Sequence, residues 1–131
     1  MKLTIPFYLH KVGAGFPSPA TDYIEEDVDL NVHLIKNVPA TFIIRVQGKP
    51  MTDVGIYDGD LLVIDRSLKP KNFSTVVANV HDELVVKSFV KSKDEKFLTS
   101  GSKNIEDKIT INDESDVFIW GVVTYVIHST Y

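Results

Sequence analysis

From Thr41 onward the chain alternates short apolar runs with polar, turn-forming stretches. The runs are four to twelve residues long and rich in Val, Ile, Phe and Thr, which marks strands rather than helices. They cover Thr41–Val46, Leu61–Asp65, Thr75–Val80, Leu84–Val90, Lys96–Thr99, Lys108–Ile111 and Val117–His128. His81-Asp82-Glu83 separates two of them as a hairpin turn, and Lys91–Lys96 forms a charged turn before the next. Many short strands with turn signals between them predict a mostly β, compact, partly closed fold. The last run is long, apolar and close to the chain end, so it reads as an edge open to pairing with a second copy. On that reading a charge at Val122 or Val126 weakens association.

The segment before Thr41 has a different pattern. Asp29 to Lys36 is the one helix predicted: Asp29 caps it, and Leu30 and Leu34 fall on one face. Pro39 ends it. His33 reads as a surface residue. Residues 1–24 read as an extended arm, because Pro6, Pro17 and Pro19 block helix and central-strand pairing. Gly13-Ala14-Gly15 is small and flexible enough to enter a narrow site in extended form. The expected organisation is therefore an arm over 1–24 and a domain over 25–131.

Composition narrows the function classes. The 131 residues suffice for one domain with a real core. Net charge is −4, with no basic block, so direct DNA binding is not expected. No helix-turn-helix-like segment is visible either. The absence of cysteine fits a cytoplasmic protein and excludes a disulfide framework. Met1 to Tyr8 lacks the pattern of a signal peptide, and no apolar run approaches the roughly 20 residues that span a bilayer. Four scattered histidines make no metal set, and no cofactor is expected.

The stretch from Gly48 to Asp65 organises the rest. Gly48 to Asp60 is turn-forming, ending in Asp58-Gly59-Asp60, and Leu61 to Ile64 is the buried strand to which it is pinned. Such a turn can hold one side chain at a fixed point above a sheet. The sequence Gly48-Lys49-Pro50-Met51-Thr52-Asp53-Val54-Gly55-Ile56-Tyr57-Asp58-Gly59-Asp60 resembles the nucleophile loop of the LexA/UmuD self-cleaving serine–lysine peptidases, with Pro50 at the serine position. Gly15-Phe16-Pro17-Ser18-Pro19-Ala20-Thr21-Asp22-Tyr23 resembles the segment after the self-cleavage bond in the UmuD branch of that family. Val85-Val86-Lys87 resembles the strand of the general-base lysine, and Lys87 lies 37 positions after Pro50, the family's serine-to-lysine spacing.

The resemblance implies a fold of the LexA/UmuD C-terminal peptidase type, with Lys87 as general base and Ala14-Gly15 as the cleavage position. A serine–lysine peptidase needs a hydroxyl nucleophile, a lysine able to shed its proton in apolar surroundings, and backbone N–H groups for the oxyanion. In a regular strand Val85, Lys87 and Phe89 share one face, while Leu84, Val86, Ser88 and Val90 share the other. Burial of Lys87 near position 50 is expected. Pro50 supplies neither hydroxyl nor N–H. Thr52 points elsewhere along the turn, and Ser88 faces away from Lys87, so neither replaces the nucleophile. Lys49 departs from the acidic or small residue usual in the family.

The function this implies is that of a UmuD-like SOS-response protein, an accessory subunit of an error-prone translesion DNA polymerase that does not cut itself. Implied partners are a second copy or an active paralogue, a UmuC-type polymerase subunit and the RecA filament. The alternatives are an active self-cleaving peptidase with an altered site, and an SOS co-repressor acting through protein contacts.

Overall fold

A computed structural model describes residues 4–8, 24–48, 51–101, 108–111 and 116–131, with side chains from residue 29 onward. The chain divides into two units, Met1–Lys36 and Asn37–Tyr131.

In the first unit β1 (Thr4–Tyr8) pairs antiparallel with β2 (Ile24–Asp29). Pro6 sits opposite Asp27. β1 falls within the segment read as an extended arm over 1–24, whose prolines are expected to block helix and central-strand pairing. Proline has no N–H to give a central ladder, but a two-stranded ribbon leaves each strand an outer side where none is needed. The short helix α1 (Leu30–Leu34) follows. Its first turn is capped as the sequence indicates: the Asp29 carboxylate accepts the Asn31 N–H at 3.0 Å. Leu30 and Leu34 are half-buried and the residues between them exposed, which is the predicted stripe. The helix stops at Leu34 because Ile35 is already extended.

The second unit is a seven-stranded antiparallel sheet. Its strands are β3 (Thr41–Arg45), β4 (Leu61–Asp65), β5 (Thr75–Val80), β6 (Glu83–Lys91), β7 (Lys96–Thr99), β8 (Ile109–Ile111) and β9 (Val117–Ile127). The spatial order is β3-β4-β9-β5-β6-β7-β8. The sheet curls, so that β8 comes back towards β9 although three strands, β5, β6 and β7, lie between them in the sheet. β5 and β6 form the expected hairpin, with His81 and Asp82 both at positive φ (50° and 69°), as a two-residue turn matched to strand twist requires.

One expectation is overturned. β9 is not an edge: it lies inside the sheet, hydrogen-bonded to β4 on one side and β5 on the other. The edges are β3 and β8. A long apolar strand is equally the signature of a central strand, and its position in sequence does not fix its position in the sheet. Two bulges, opposite Val63/Ile64 and Val77/Ala78, let the eleven-residue strand bend to serve both neighbours. Val122 is 8% exposed, and Val126 packs against the core, so both positions belong to the fold rather than to a free edge.

The strands bury alternate residues on two faces. Val77, Val86, Leu62 and Ile64 join Val46, Met51 and Ile56 in one cluster. Val76, Ala78, Val85, Phe89 and Leu98 form the other with Val117 and Val122. The first cluster draws in Met51 and Ile56 from the loop between β3 and β4, which is how that loop is anchored.

Candidate functional site

The loop between β3 and β4 is held at every level of its turn-rich sequence. At its base the Val46 N–H donates to Asp60 O, and the Gly59 N–H returns to Val46 O, both at 2.8 Å. Higher up, Met51 and Ile56 form a bridge, with the Ile56 N–H on Met51 O at 3.1 Å. Between them Thr52–Val54 makes one 3-10 turn that closes at Gly55, whose φ of 79° suits glycine. The two aspartates of Asp58-Gly59-Asp60 each accept one further loop N–H. Asp58 accepts from Gly48 at 2.9 Å and Asp60 from Tyr57 at 2.9 Å. Position 50 therefore lies between two described anchors, Gly48 and Met51. Lys49 and Pro50 are themselves outside the described residues, as are Ala14 and Gly15.

Asp60 has a further partner. It is 2% exposed, and its second oxygen lies 2.6 Å from His128 Nδ1 at the end of β9. The Tyr57 ring packs on His128, with centroids 5.2 Å apart. Burial pushes the Asp60 carboxyl up, but the His128 hydrogen bond, the Tyr57 N–H and the attraction of a protonated His128 outweigh it. The net effect holds Asp60 below the ordinary carboxylate value.

Lys87 sits near the middle of β6, opposite Val76. It is half-buried, not largely buried as expected. Val85 and Phe89 belong to one cluster and Val86 to the other, so the strand alternates as read from the sequence. Lys87 and Met51 line the same cleft of about 390 Å³, together with Arg45, Gln47, Ile56 and Val86. The lysine strand and the loop around position 50 thus meet at one cleft.

The Lys87 ammonium is not idle. Nζ donates to Ser100 Oγ at 2.7 Å. Ser100 follows the end of β7, and Gly101 after it has a φ of 112°. A methyl group on Gly101 would lie 2.5 Å from the Asp53 carboxylate, so the turn after β7 is pressed against the 3-10 turn of the loop. Thr99 fixes that turn with a 2.7 Å hydrogen bond from its hydroxyl to Gly101 O. Ser88 is 1% exposed, and its hydroxyl has no hydrogen-bond partner among the described residues. Among the described residues no group of three or more His, Cys, Asp or Glu is placed to hold a metal ion, and no helix is long and apolar enough to cross a membrane.

Ser100 and the Asp60–His128 pair escape a reading of the sequence alone. Ser100 is brought to Lys87 by the β6–β7 register, in which Ser88 opposes Thr99. Asp60 and His128 are 68 residues apart, and only the β4–β9 pairing joins them.

A seven-stranded antiparallel sheet, a glycine- and aspartate-rich loop anchored in its core and a lysine strand meeting that loop define the peptidase domain of the LexA/UmuD type. The chain belongs to the Peptidase S24-like family, whose profile matches residues 6–124. It is 40% identical over 122 residues to Protein MucA of Salmonella typhimurium, covering 93% of this chain and 83% of that protein. It is 41% identical over 125 residues to Protein ImpA of Shigella flexneri, covering 95% and 84%. Similarity to the LexA repressor of Leptothrix cholodnii is 31% over 129 residues, 98% of this chain but 55% of the repressor.

Proposed function

We propose that this protein is a UmuD-like component of the SOS response, an accessory subunit of an error-prone translesion polymerase whose arm stays uncut at Ala14-Gly15. The observation that carries the reading is Pro50 in a loop that keeps its glycine and aspartate turn positions. The anchors on both sides of position 50 are intact, and Lys87 still lines the cleft with Met51. Retention of the scaffold without its hydroxyl suits a protein kept for its contacts. Likeness to MucA and ImpA over more than four-fifths of their length supports the same branch of the family.

On this reading the protein is cytoplasmic. It has an arm ahead of a peptidase-like domain and pairs with a second copy or with an active paralogue. The dimer surface is proposed on the side chains at the C-terminal end of β9, where Tyr125 and Ile127 are 38% and 41% exposed. Co-purification with a UmuC-type polymerase subunit tests the reading. Retention of the subunit through gel filtration is the expected result. Failure of both the full chain and a variant lacking residues 1–14 to retain it overturns the accessory role.

A further inference from the structure

The lysine of this cleft has a hydroxyl partner, although position 50 provides none. Lys87 Nζ and Ser100 Oγ are 2.7 Å apart, within the distance at which a base takes a proton from a nucleophile. Both side chains are half-buried, so the pair is neither sealed in the core nor free in solvent. The hydroxyl is held in place by a turn with little freedom. Thr99 ties to Gly101 O, and Gly101 fits against Asp53 only because it lacks a side chain. The hydroxyls of Ser88 and Thr99, residues paired with each other in the β6–β7 ladder beside Lys87, do not compete. Ser88 is buried with no partner among the described residues, and Thr99 is committed to the backbone.

We propose that Ser100 and Lys87 form an acyl-transfer dyad that accepts activated acyl groups, such as esters, at Ser100. In the ammonium form Nζ donates to Oγ, as seen here. Once Nζ has lost a proton the contact runs the other way, and the Ser100 O–H donates to the nitrogen. Ser100 Oγ then bonds to the acyl carbon of the ester, and its proton passes to Lys87 Nζ. The ester C–O bond breaks, and the proton moves from Nζ to the leaving oxygen. Water, activated by the same amine, hydrolyses the acyl-serine and restores the site. An ester demands less than a peptide bond, because its leaving oxygen departs more readily than an amide nitrogen and relies less on oxyanion donors. The dyad is therefore compatible with an uncut arm.

A fluorophosphonate tests the proposal on the full chain and needs neither arm nor partner, so its outcome is separate from that of the accessory role. Attack by Ser100 forms an O–P bond, breaks P–F, releases fluoride and leaves the proton on Lys87. Peptide mapping by mass spectrometry should place the adduct on Ser100. Ser100→Ala should remove it, and Ser88→Ala should leave it. General-base help commonly contributes about 100-fold or more. Lys87→Met should therefore lower labelling of Ser100 by at least about tenfold in a protein whose circular dichroism is unchanged. An unlabelled Ser100 in the unmodified protein, labelling carried by Ser88 or Thr52 instead, or equal labelling of Ser100 in Lys87→Met overturns the proposal.

Discussion

Asp60 shows how one residue ties the loop to the sheet. A buried carboxylate is costly unless its oxygens are satisfied. Asp60 accepts from the Tyr57 N–H with one oxygen and meets His128 with the other. Its folded pKa lies below the ordinary value of 3.8, so its contribution to stability is complete above that pH. The contribution is lost as the pH falls below 3.8 through the folded value. Urea unfolding should therefore show a midpoint that drops on acidification in this range, and Asp60→Asn should flatten that part of the dependence. An equal drop in the Asn variant would assign the acid sensitivity to other carboxylates. Gly101 makes a second residue-scale case. With φ at 112° and the Asp53 carboxylate where a Cβ would lie, Gly101→Ala should destabilise by at least about 1 kcal/mol. Chemical denaturation measures this, and an unchanged midpoint would mean that the turn shifts freely.

At the scale of elements the sequence was legible where alternation was strong. The runs at Leu61–Asp65, Thr75–Val80 and Lys96–Thr99 are strands with those bounds. The helix capped by Asp29 is present but shorter, because a five-residue helix rests on its cap and one half-buried stripe. The β1–β2 ribbon was not legible, since Pro6 argues against a strand and pairing at a ribbon's outer side is a tertiary fact. Nor was the interior place of β9, because composition distinguishes buried from exposed strands but not which neighbours flank them. The loop's anchoring was half legible. Its glycines and aspartates signalled turns, while the burial of Met51 and Ile56 in the first cluster depends on β4 and β5. That cluster should behave as a packed unit. Leu62→Ala, at a position with no exposure, should cost about 2–5 kcal/mol. A loss below about 1 kcal/mol would show that the loop and sheet do not share a core.

For the whole molecule, the interior place of β9 changes how association is tested. A charge at Val122 or Val126 strikes the core and reports on folding. Ile127→Glu, at an exposed position near the end of β9, reports on contacts. If the proposed dimer forms there, sedimentation at micromolar concentration should show the unmodified protein as a dimer and Ile127→Glu shifted towards monomer. A monomeric unmodified protein would remove the dimer from the account.

The central claim is that Pro50 disarms a site whose scaffold persists. Its most direct measurement is the intact mass of the chain after incubation with RecA filaments on single-stranded DNA, beside Pro50→Ser and Pro50→Ser with Lys87→Ala. The unmodified chain should keep its full mass. Pro50→Ser, which regains both hydroxyl and N–H, should lose residues 1–14 slowly, and the double variant should stay whole. Cutting of the unmodified chain between Ala14 and Gly15 would contradict the account.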